Sequence, residues 1–220
     1  MQEHDHEQAH DAHAPITDQH EFTYYEKRVY AIQSLLIEKG LVTADEIRRA
    51  VEDMDSRTPA LGAKVVARAW VDPAFKARLL TDAKAAVAEL GIDTGALNTL
   101  VAIENTDRVY NVVVCTLCSC YPRPILGLPP DWYKSLHYRS RVVVDPRGVL
   151  KEFGLELEPD VEVRVYDSTA DMRYLVIPAR PSGTEGMSEE ELASLVTRDS
   201  MIGVARARTP SESRVRSSES

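Results

Sequence analysis

The sequence predicts an α+β fold, with a helical N-terminal part followed by a domain of mixed strands and helices. Up to Leu90, apolar residues recur at helical spacing, and runs rich in β-branched residues begin only after Gly91. The composition of 220 residues, 44% apolar and 28% charged, is typical of a globular protein. Because helices come first and strands later, we expect α+β rather than alternating α/β topology.

The charge balance and the apolar runs exclude several classes of protein. The 26 Lys and Arg residues against 35 Asp and Glu residues give a net charge of −9, which argues against nucleic acid as a partner. No apolar run approaches the roughly 18 to 20 residues that span a bilayer, and no secretory signal begins the chain. We therefore expect a cytoplasmic protein with neither a nucleic-acid nor a membrane partner.

Residues 1–22 contain five of the six histidines and few apolar residues, so they predict a disordered tail. Neutral imidazoles could collect divalent metals there, but a solvated arm or an expression artefact is the favoured explanation of this composition. Apolar spacing predicts a helix over 24–39 that stops at Gly40. The capping box of Thr43 and Glu46 opens a second helix.

The apolar stripe of these two helices has no evident place in a small helical lobe. Residues 23–56 are therefore predicted to form a helical arm that contacts a partner subunit, and the alternative is a hairpin packed on its own domain. A third helix is expected over 61–70. Asp72 before Pro73 predicts the N-cap of a fourth helix that continues to Gly91.

The rest of the chain is predicted to mix strands and helices. Strands are expected over 100–106 and 109–115, followed by a proline-rich connection, 121–133, without regular structure. A further pair of strands is expected to form a hairpin around residues 168–171. The hairpin strands are expected at 161–167 and 172–178, and helices at 146–154 and 188–200. These elements complete an α+β domain at 57–204, and a disordered tail is expected at 205–220.

All three cysteines lie in one short segment, Cys115-Thr116-Leu117-Cys118-Ser119-Cys120. A structural disulfide would leave one thiol over, and Cys118 and Cys120 are too close in the chain for an easy bridge. Zinc is a better candidate, but a closed zinc site needs a fourth ligand, which would have to be His137 or a tail histidine. The third interpretation is a claw in which one turn supplies every protein ligand.

Such a claw suits a trivalent, low-spin ion. The sulfurs of Cys118 and Cys120 and the main-chain nitrogens of Ser119 and Cys120 can form a planar base if the metal displaces the amide protons. The sulfur of Cys115 would be axial, and the opposite axial position would stay open. An open position on Co(III) or Fe(III) favours Lewis-acid catalysis.

The segment VCTLCSCYPRPILGLPPDWY closely resembles the metal-binding segment of the nitrile hydratase alpha subunit. The gamma subunit of thiocyanate hydrolase, in the same superfamily, shares that segment. Further segments resemble the family in family order over roughly residues 25–204, and the resemblance implies the nitrile hydratase alpha-like fold. They are LGAKVVARAWVDPAFKARLL, YRSRVVVDPRGVLKEFG, EVRVYDSTADMRYLVIPARPSGTEG and SEEELASLVTRDSMIGV.

The resemblance implies that Cys115, Cys118, Ser119 and Cys120 hold the metal, with Cys118 oxidised to sulfinate and Cys120 to sulfenate. Thr116 matches the cobalt branch of the family, so one Co(III) per subunit is expected, with non-haem Fe(III) as the alternative. The implied reaction is hydration of a nitrile to an amide. Cys120, Cys118 and Ser119 are the implied catalytic residues, the Cys120 sulfenate being one possible nucleophile and water activated by the metal the other.

The resemblance also implies partners. Arginines of a beta subunit, in one chain or two, would bind the oxidised sulfurs, in a dimer of heterodimers or a larger assembly loaded by a cobalt-insertion activator protein. Asp167 and Arg173 are expected to support the site as a charged pair, unless they form an ordinary hairpin salt bridge.

Two positions in the expected substrate pocket depart from the family pattern. Arg123 stands where nitrile hydratases usually carry tryptophan, and Ala96 stands where many carry glutamine. A guanidinium near the metal favours polar or anionic substrates. We therefore expect a cobalt-type nitrile hydratase alpha subunit that acts on a polar or bulky nitrile. The alternatives are a subunit similar to thiocyanate hydrolase gamma, which shares the arginine, and a zinc-stapled binding module that is not an enzyme.

Overall fold

The computed structural model describes residues 22–95 and 97–217, with side chains to Ser213. The histidine-rich segment 1–21 and Ala96 lie outside the described residues, so the predictions made for them stay predictions. The chain divides into two compact units, residues 1–50 and 51–220. No helix in the described ranges combines the length and the apolar content that a membrane span requires.

The described part of the first unit is helical, as expected. Helix α1 (Tyr24–Glu38) is followed by helix α2 (Ala44–Ser56), which runs past the end of this unit. The predicted capping box is present, since the Thr43 N–H donates to a Glu46 carboxylate oxygen at 2.7 Å and the Glu46 N–H donates to Thr43 Oγ1 at 3.1 Å. No residue of either helix is buried in the isolated chain.

Three helices open the second unit: α3 (Pro59–Val71), α4 (Pro73–Thr81) and α5 (Ala83–Glu89). The prediction of one continuous helix from Pro73 to Gly91 was wrong. The helix breaks at Asp82, where the backbone leaves the helical region at φ −143° and ψ 88° and the carboxylate accepts the Ala85 N–H. Asp82 therefore caps a new helix instead of continuing the old one.

Four strands form two parallel pairs. Strand β1 (Thr99–Glu104) pairs with β4 (Met172–Ile177), and β2 (Val109–Val114) pairs with β3 (Glu162–Asp167). The predicted β3–β4 hairpin was therefore wrong. The Ser168 N–H donates to the carbonyl oxygen of Val114, and the Asp171 carbonyl accepts the Thr99 N–H, so the connection carries the chain from one ladder to the other.

Short helices fill the rest of the unit. The proline-rich connection, expected to lack helix, contains two single turns. Pro124 lies in the first turn of one of them, where proline is tolerated, and Pro130 is the N-cap of the other. The helix expected over 188–200 is two helices that break at Val196, and the predicted disordered tail contains a helix. These elements are α6 (Arg123–Leu126), α7 (Asp131–Lys134), α8 (Leu136–Arg141), α9 (Pro146–Glu152), α10 (Glu189–Leu195), α11 (Arg198–Ile202) and α12 (Pro210–Ser217).

Strand β2 lies in the main hydrophobic core, and every residue from Tyr110 to Val114 is buried. Helix α11 packs against this strand and ends at Gly203, whose φ of +91° is in the left-handed region. A Cβ on Gly203 would overlap the carbonyl oxygen of Asn111 in β2. The core thus fixes the position of β2, and the next residue after β2 is the first cysteine.

Candidate metal centre

The three cysteines converge in a tight turn that follows β2. The Cys115 and Cys118 sulfurs are 3.3 Å apart, and the Cys118 and Cys120 sulfurs are 3.1 Å apart. All three sulfurs lie within 4.8 Å of one another. We refer to residues 115–120 as the claw turn.

The thiols differ in exposure and acidity. Cys115 and Cys120 are 1% and 9% exposed, whereas Cys118 is exposed. Hydrogen bonds from Cys120 and Cys115 lower the pKa of the Cys118 thiol to about 7, and burial raises the pKa of Cys120 to about 12. Cys118 is thus a stronger acid than Cys120, and it is also the more accessible of these two thiols.

The donor set fits a thiophilic transition metal, because three sulfurs can reach one ion from the same turn. In the part of the chain that the structure describes, no His, Asp or Glu joins this group of potential ligands. His137, the candidate fourth zinc ligand, is exposed, and its Nε2 lies 2.6 Å from Arg141 Nη1. The described residues therefore give the zinc interpretation no fourth ligand.

Side chains from distant elements hold the start of the claw turn. Asp167, at the end of β3, accepts hydrogen bonds from the Thr116 N–H at 2.9 Å and the Thr116 hydroxyl at 2.6 Å. Arg139, on α8, donates from Nε to the Cys115 carbonyl oxygen at 3.0 Å and from Nη2 to the Thr116 carbonyl oxygen at 2.8 Å. The Thr116 residue is therefore bound by a carboxylate on its amide side and by a guanidinium on its carbonyl side.

Two buried tyrosines bind the strand and the end of the turn. The Tyr138 hydroxyl donates to the carbonyl oxygen of Val113 at 2.7 Å, and the Tyr133 hydroxyl donates to that of Cys120 at 2.8 Å. Sequence reasoning missed Arg139 and both tyrosines. The signal that could have found the helix carrying two of them is Ser135, whose hydroxyl accepts the Tyr138 N–H as the N-cap of α8.

A cavity of about 600 Å³ opens beside the claw turn. Cys118, Ser119 and Cys120 contribute to its wall, so the exposed side of the claw turn faces this space. The charged residues of the wall are Arg123, Lys134, Arg173 and Asp131, of which Lys134 and Asp131 form an ion pair at 2.8 Å. The cavity wall therefore has an excess of positive charge.

Asp167 and Arg173, which were expected to form a charged pair, make separate contacts. Asp167 binds Thr116, as described above, whereas Arg173 lines the cavity and donates to the carbonyl oxygens of Thr169 and Met172. Among the described residues, Arg173 Nε is one of the buried nitrogens without a hydrogen-bond partner. No described contact joins Asp167 to Arg173, and the two residues lie on different ladders.

Comparison with known proteins matches this chain to nitrile hydratase alpha subunits and to a thiocyanate hydrolase gamma subunit. A model of the family "nitrile hydratase, alpha chain" matches residues 23–205. The alpha subunit of the low-molecular weight cobalt-containing nitrile hydratase of Rhodococcus rhodochrous is 56% identical over 84% of this chain and 90% of its own length. The thiocyanate hydrolase gamma subunit of Thiobacillus thioparus is 42% identical over 87% of this chain and 83% of its own length.

A solved structure of recombinant thiocyanate hydrolase with partially modified cobalt centres superposes with a TM-score of 0.82. It is 41% identical to this chain, and the match covers 86% of this chain and 93% of the other. The α+β fold with a helical N-terminal region, predicted from the sequence, is confirmed by this match. The three-thiol turn follows a buried strand, and the family model matches most of the described residues. The chain therefore belongs to the nitrile hydratase alpha chain family.

Proposed function

We propose that this chain is the metal-binding alpha subunit of a cobalt nitrile hydratase, which adds water to R–C≡N to give the amide R–C(=O)NH₂. The observation that carries the proposal is the claw turn itself, in which three thiols lie within 4.8 Å beside an open cavity. The 56% identity to a cobalt-containing nitrile hydratase alpha subunit supports the same metal and the same reaction.

Cys115, Cys118 and Cys120, with the main-chain nitrogens of Ser119 and Cys120, would hold the metal, and Cys118 and Cys120 would be oxidised to sulfinate and sulfenate. When bound, trivalent cobalt supplies a Lewis acid with a position open to small molecules. Cobalt fits the sulfur donors that the claw turn presents. Iron is the alternative metal.

The residues around the cavity would bind and orient the nitrile. Arg173 brings a cation and an unpartnered buried Nε to the wall that Cys120 shares, so it could donate to an oxidised sulfur. Asp167 would act through Thr116 and position the turn. Arg123 is exposed at the rim and favours substrates that accept hydrogen bonds, which supports a polar nitrile. Ala96 stays a predicted pocket residue.

The family implies a beta subunit, in one chain or two, as partner. We place residues 57–204 in the catalytic domain and residues 23–56 in an arm that contacts the beta subunit, since α1 exposes Tyr25, Val29 and Ile32. A dimer of heterodimers or larger assembly, an activator protein that inserts cobalt, and a cytoplasmic location belong to the same proposal.

The direct test is to co-produce the chain with its beta subunit in medium that contains cobalt. We expect one tightly held cobalt per chain, two cysteines with added oxygen mass, and conversion of nitriles to amides by the complex. Stoichiometric zinc with three unmodified thiols would overturn the proposal. Turnover of thiocyanate with no amide formed from any of a panel of nitriles would instead favour the thiocyanate hydrolase alternative, which the cationic cavity wall supports.

Arg123→Trp tests the role of the cavity rim in substrate choice. Replacing the guanidinium by an indole removes a positive charge and adds apolar surface, so the kcat/KM ratio of a benzonitrile over a cyano-carboxylate should rise about 5- to 10-fold, which corresponds to about 1 to 1.4 kcal/mol. Arg164→Trp is the matched control, because Arg164 is exposed on β3 and bound to Glu162. An unchanged ratio in Arg123→Trp would show that Arg123 does not face the substrate.

A further inference from the structure

The claw turn depends on one side chain for two consecutive carbonyl groups. Arg139 is the described residue that binds both the Cys115 and the Thr116 carbonyl oxygens, at 3.0 Å and 2.8 Å. These carbonyls belong to the segment that turns the chain from β2 toward Cys118. The same turn lets the Cys118 N–H donate to the Cys115 sulfur at 3.3 Å.

An arginine suits this position for a geometric reason. Two adjacent carbonyl groups need two donors with a fixed separation, and the planar guanidinium presents Nε and Nη2 in such an arrangement. The ammonium of a lysine carries its donors on one atom and does not reproduce the separation. Arg139 is also half-buried, and it lies on α8, which the buried Tyr138 ties to β2 through the Val113 carbonyl.

The convergence of the three sulfurs depends on the path of the main chain through the turn. The Cys115 and Cys118 sulfurs lie 3.3 Å apart and the Cys118 and Cys120 sulfurs 3.1 Å apart, so rotation of the peptide groups between Cys115 and Cys118 would separate them. Asp167 binds the amide side of Thr116 and leaves its carbonyl side to Arg139. Arg139 brings a fixed cation to the turn and ties down the two carbonyl groups that would have to rotate if the turn opened.

We propose that Arg139 is a positioning residue that keeps the claw turn in its metal-receptive conformation before the metal binds. The proposal rests on the proposed function, because it takes the three thiols to be metal ligands. It assigns Arg139 no contact with substrate and no part in the reaction itself. Its effect is on how readily the three sulfurs receive the metal.

The test compares Arg139→Gln and Arg139→Lys with the parent chain, each co-produced with the beta subunit at limiting cobalt. Arg141→Gln is the matched control, since Arg141 lies on the same helix and binds Glu152 rather than the claw turn. Three quantities are measured. They are the apparent affinity for cobalt (from cobalt per chain over a series of limiting cobalt concentrations), the sulfur-to-cobalt charge-transfer absorption, and the rate at which maleimide labels Cys115 in the cobalt-free chain. Thermal unfolding of each variant is recorded alongside.

We expect Arg139→Gln to lower the affinity for cobalt about 10- to 100-fold, as loss of a residue behind a metal ligand does. Labelling of the buried Cys115 should accelerate, and the charge-transfer bands should shift in the fraction that still loads. Arg139→Lys should fall between Arg139→Gln and the parent, and Arg141→Gln should match the parent.

Parent-like cobalt affinity and spectrum in Arg139→Gln would overturn the proposal, as would an equal loss in Arg141→Gln. If Arg139→Gln does not fold, Arg139→Lys decides: reduced affinity with a parent-like melting temperature supports the proposal, and parent-like affinity overturns it. Failure of the parent chain itself to take up cobalt overturns the proposed function, and this inference with it. The two failures are thus distinguished by the parent chain.

Discussion

Cys118→Ala and Cys120→Ala should each reduce cobalt content and nitrile hydration to background. This loss exceeds the roughly 100-fold at most that follows removal of a residue that only hydrogen-bonds a metal ligand. The sulfurs of these two residues lie 3.1 Å apart, and each is one of only three in the group. Since the described residues place no His, Asp or Glu in that group, no other ligand there can replace a lost thiolate. The measurements are cobalt per chain and amide formation by the assembled complex.

Leu117→Ala is the matched control for these variants. Leu117 lies in the same turn, but its side chain is 86% exposed and offers no donor atom. It should load cobalt like the parent chain, which would separate loss of a ligand from general disturbance of the turn. Turnover and cobalt retained in Cys118→Ala or Cys120→Ala would mean that the metal ligands are misassigned.

Gly203→Ala should destabilise the chain by about 2 to 5 kcal/mol. A left-handed conformation costs a non-glycine residue about 1 to 2 kcal/mol, and overpacking of a close-packed core adds about 1 to 3 kcal/mol. The new Cβ would overlap the Asn111 carbonyl oxygen and press on β2, the strand that leads into the claw turn. Denaturant unfolding of the purified chain measures the loss, and cobalt content of the folded fraction reports the displacement of the strand.

Gly154→Ala separates the two causes. Gly154 has a similar φ of +80°, but a Cβ there would meet nothing within 4 Å. It should lose only the conformational part, about 1 to 2 kcal/mol, and keep normal cobalt content. Equal losses in Gly154→Ala and Gly203→Ala would contradict the expected contact with β2.

Local sequence signals predicted much of the fold and the centre of the site. The capping box at Thr43 and Glu46 predicted where α2 begins, because its hydrogen bonds join residues three apart. The cysteine spacing likewise predicted one cluster, since all three thiols come from a single turn. In both cases the interaction is complete within a few residues, so the sequence alone contains it.

The missing parts are those that depend on contacts between distant residues. Alternating residues predicted β3 and β4 as strands, but not that each pairs in parallel with an earlier strand. In the sequence Arg139 looks like any exposed arginine on a helix. Its hydrogen bonds to the Cys115 and Thr116 carbonyl oxygens form only because α8 lies beside the claw turn. The helix breaks at Asp82 because its carboxylate caps the next helix, which is a local interaction. An aspartate inside an apolar repeat does not by itself predict an N-cap, so the sequence pattern missed the break.

The hydrogen bonds of Thr116 with Asp167 also have a consequence during protein synthesis. These two residues are 51 positions apart in the chain, so the ribosome finishes all three cysteines well before it adds the carboxylate that binds the turn. At about 5 to 20 residues per second, Asp167 follows Thr116 by about 3 to 10 s. During this delay the three thiols lack the hydrogen bonds from Asp167. The claw turn is therefore held on both sides of Thr116 only after β3 has been synthesised and has paired with β2.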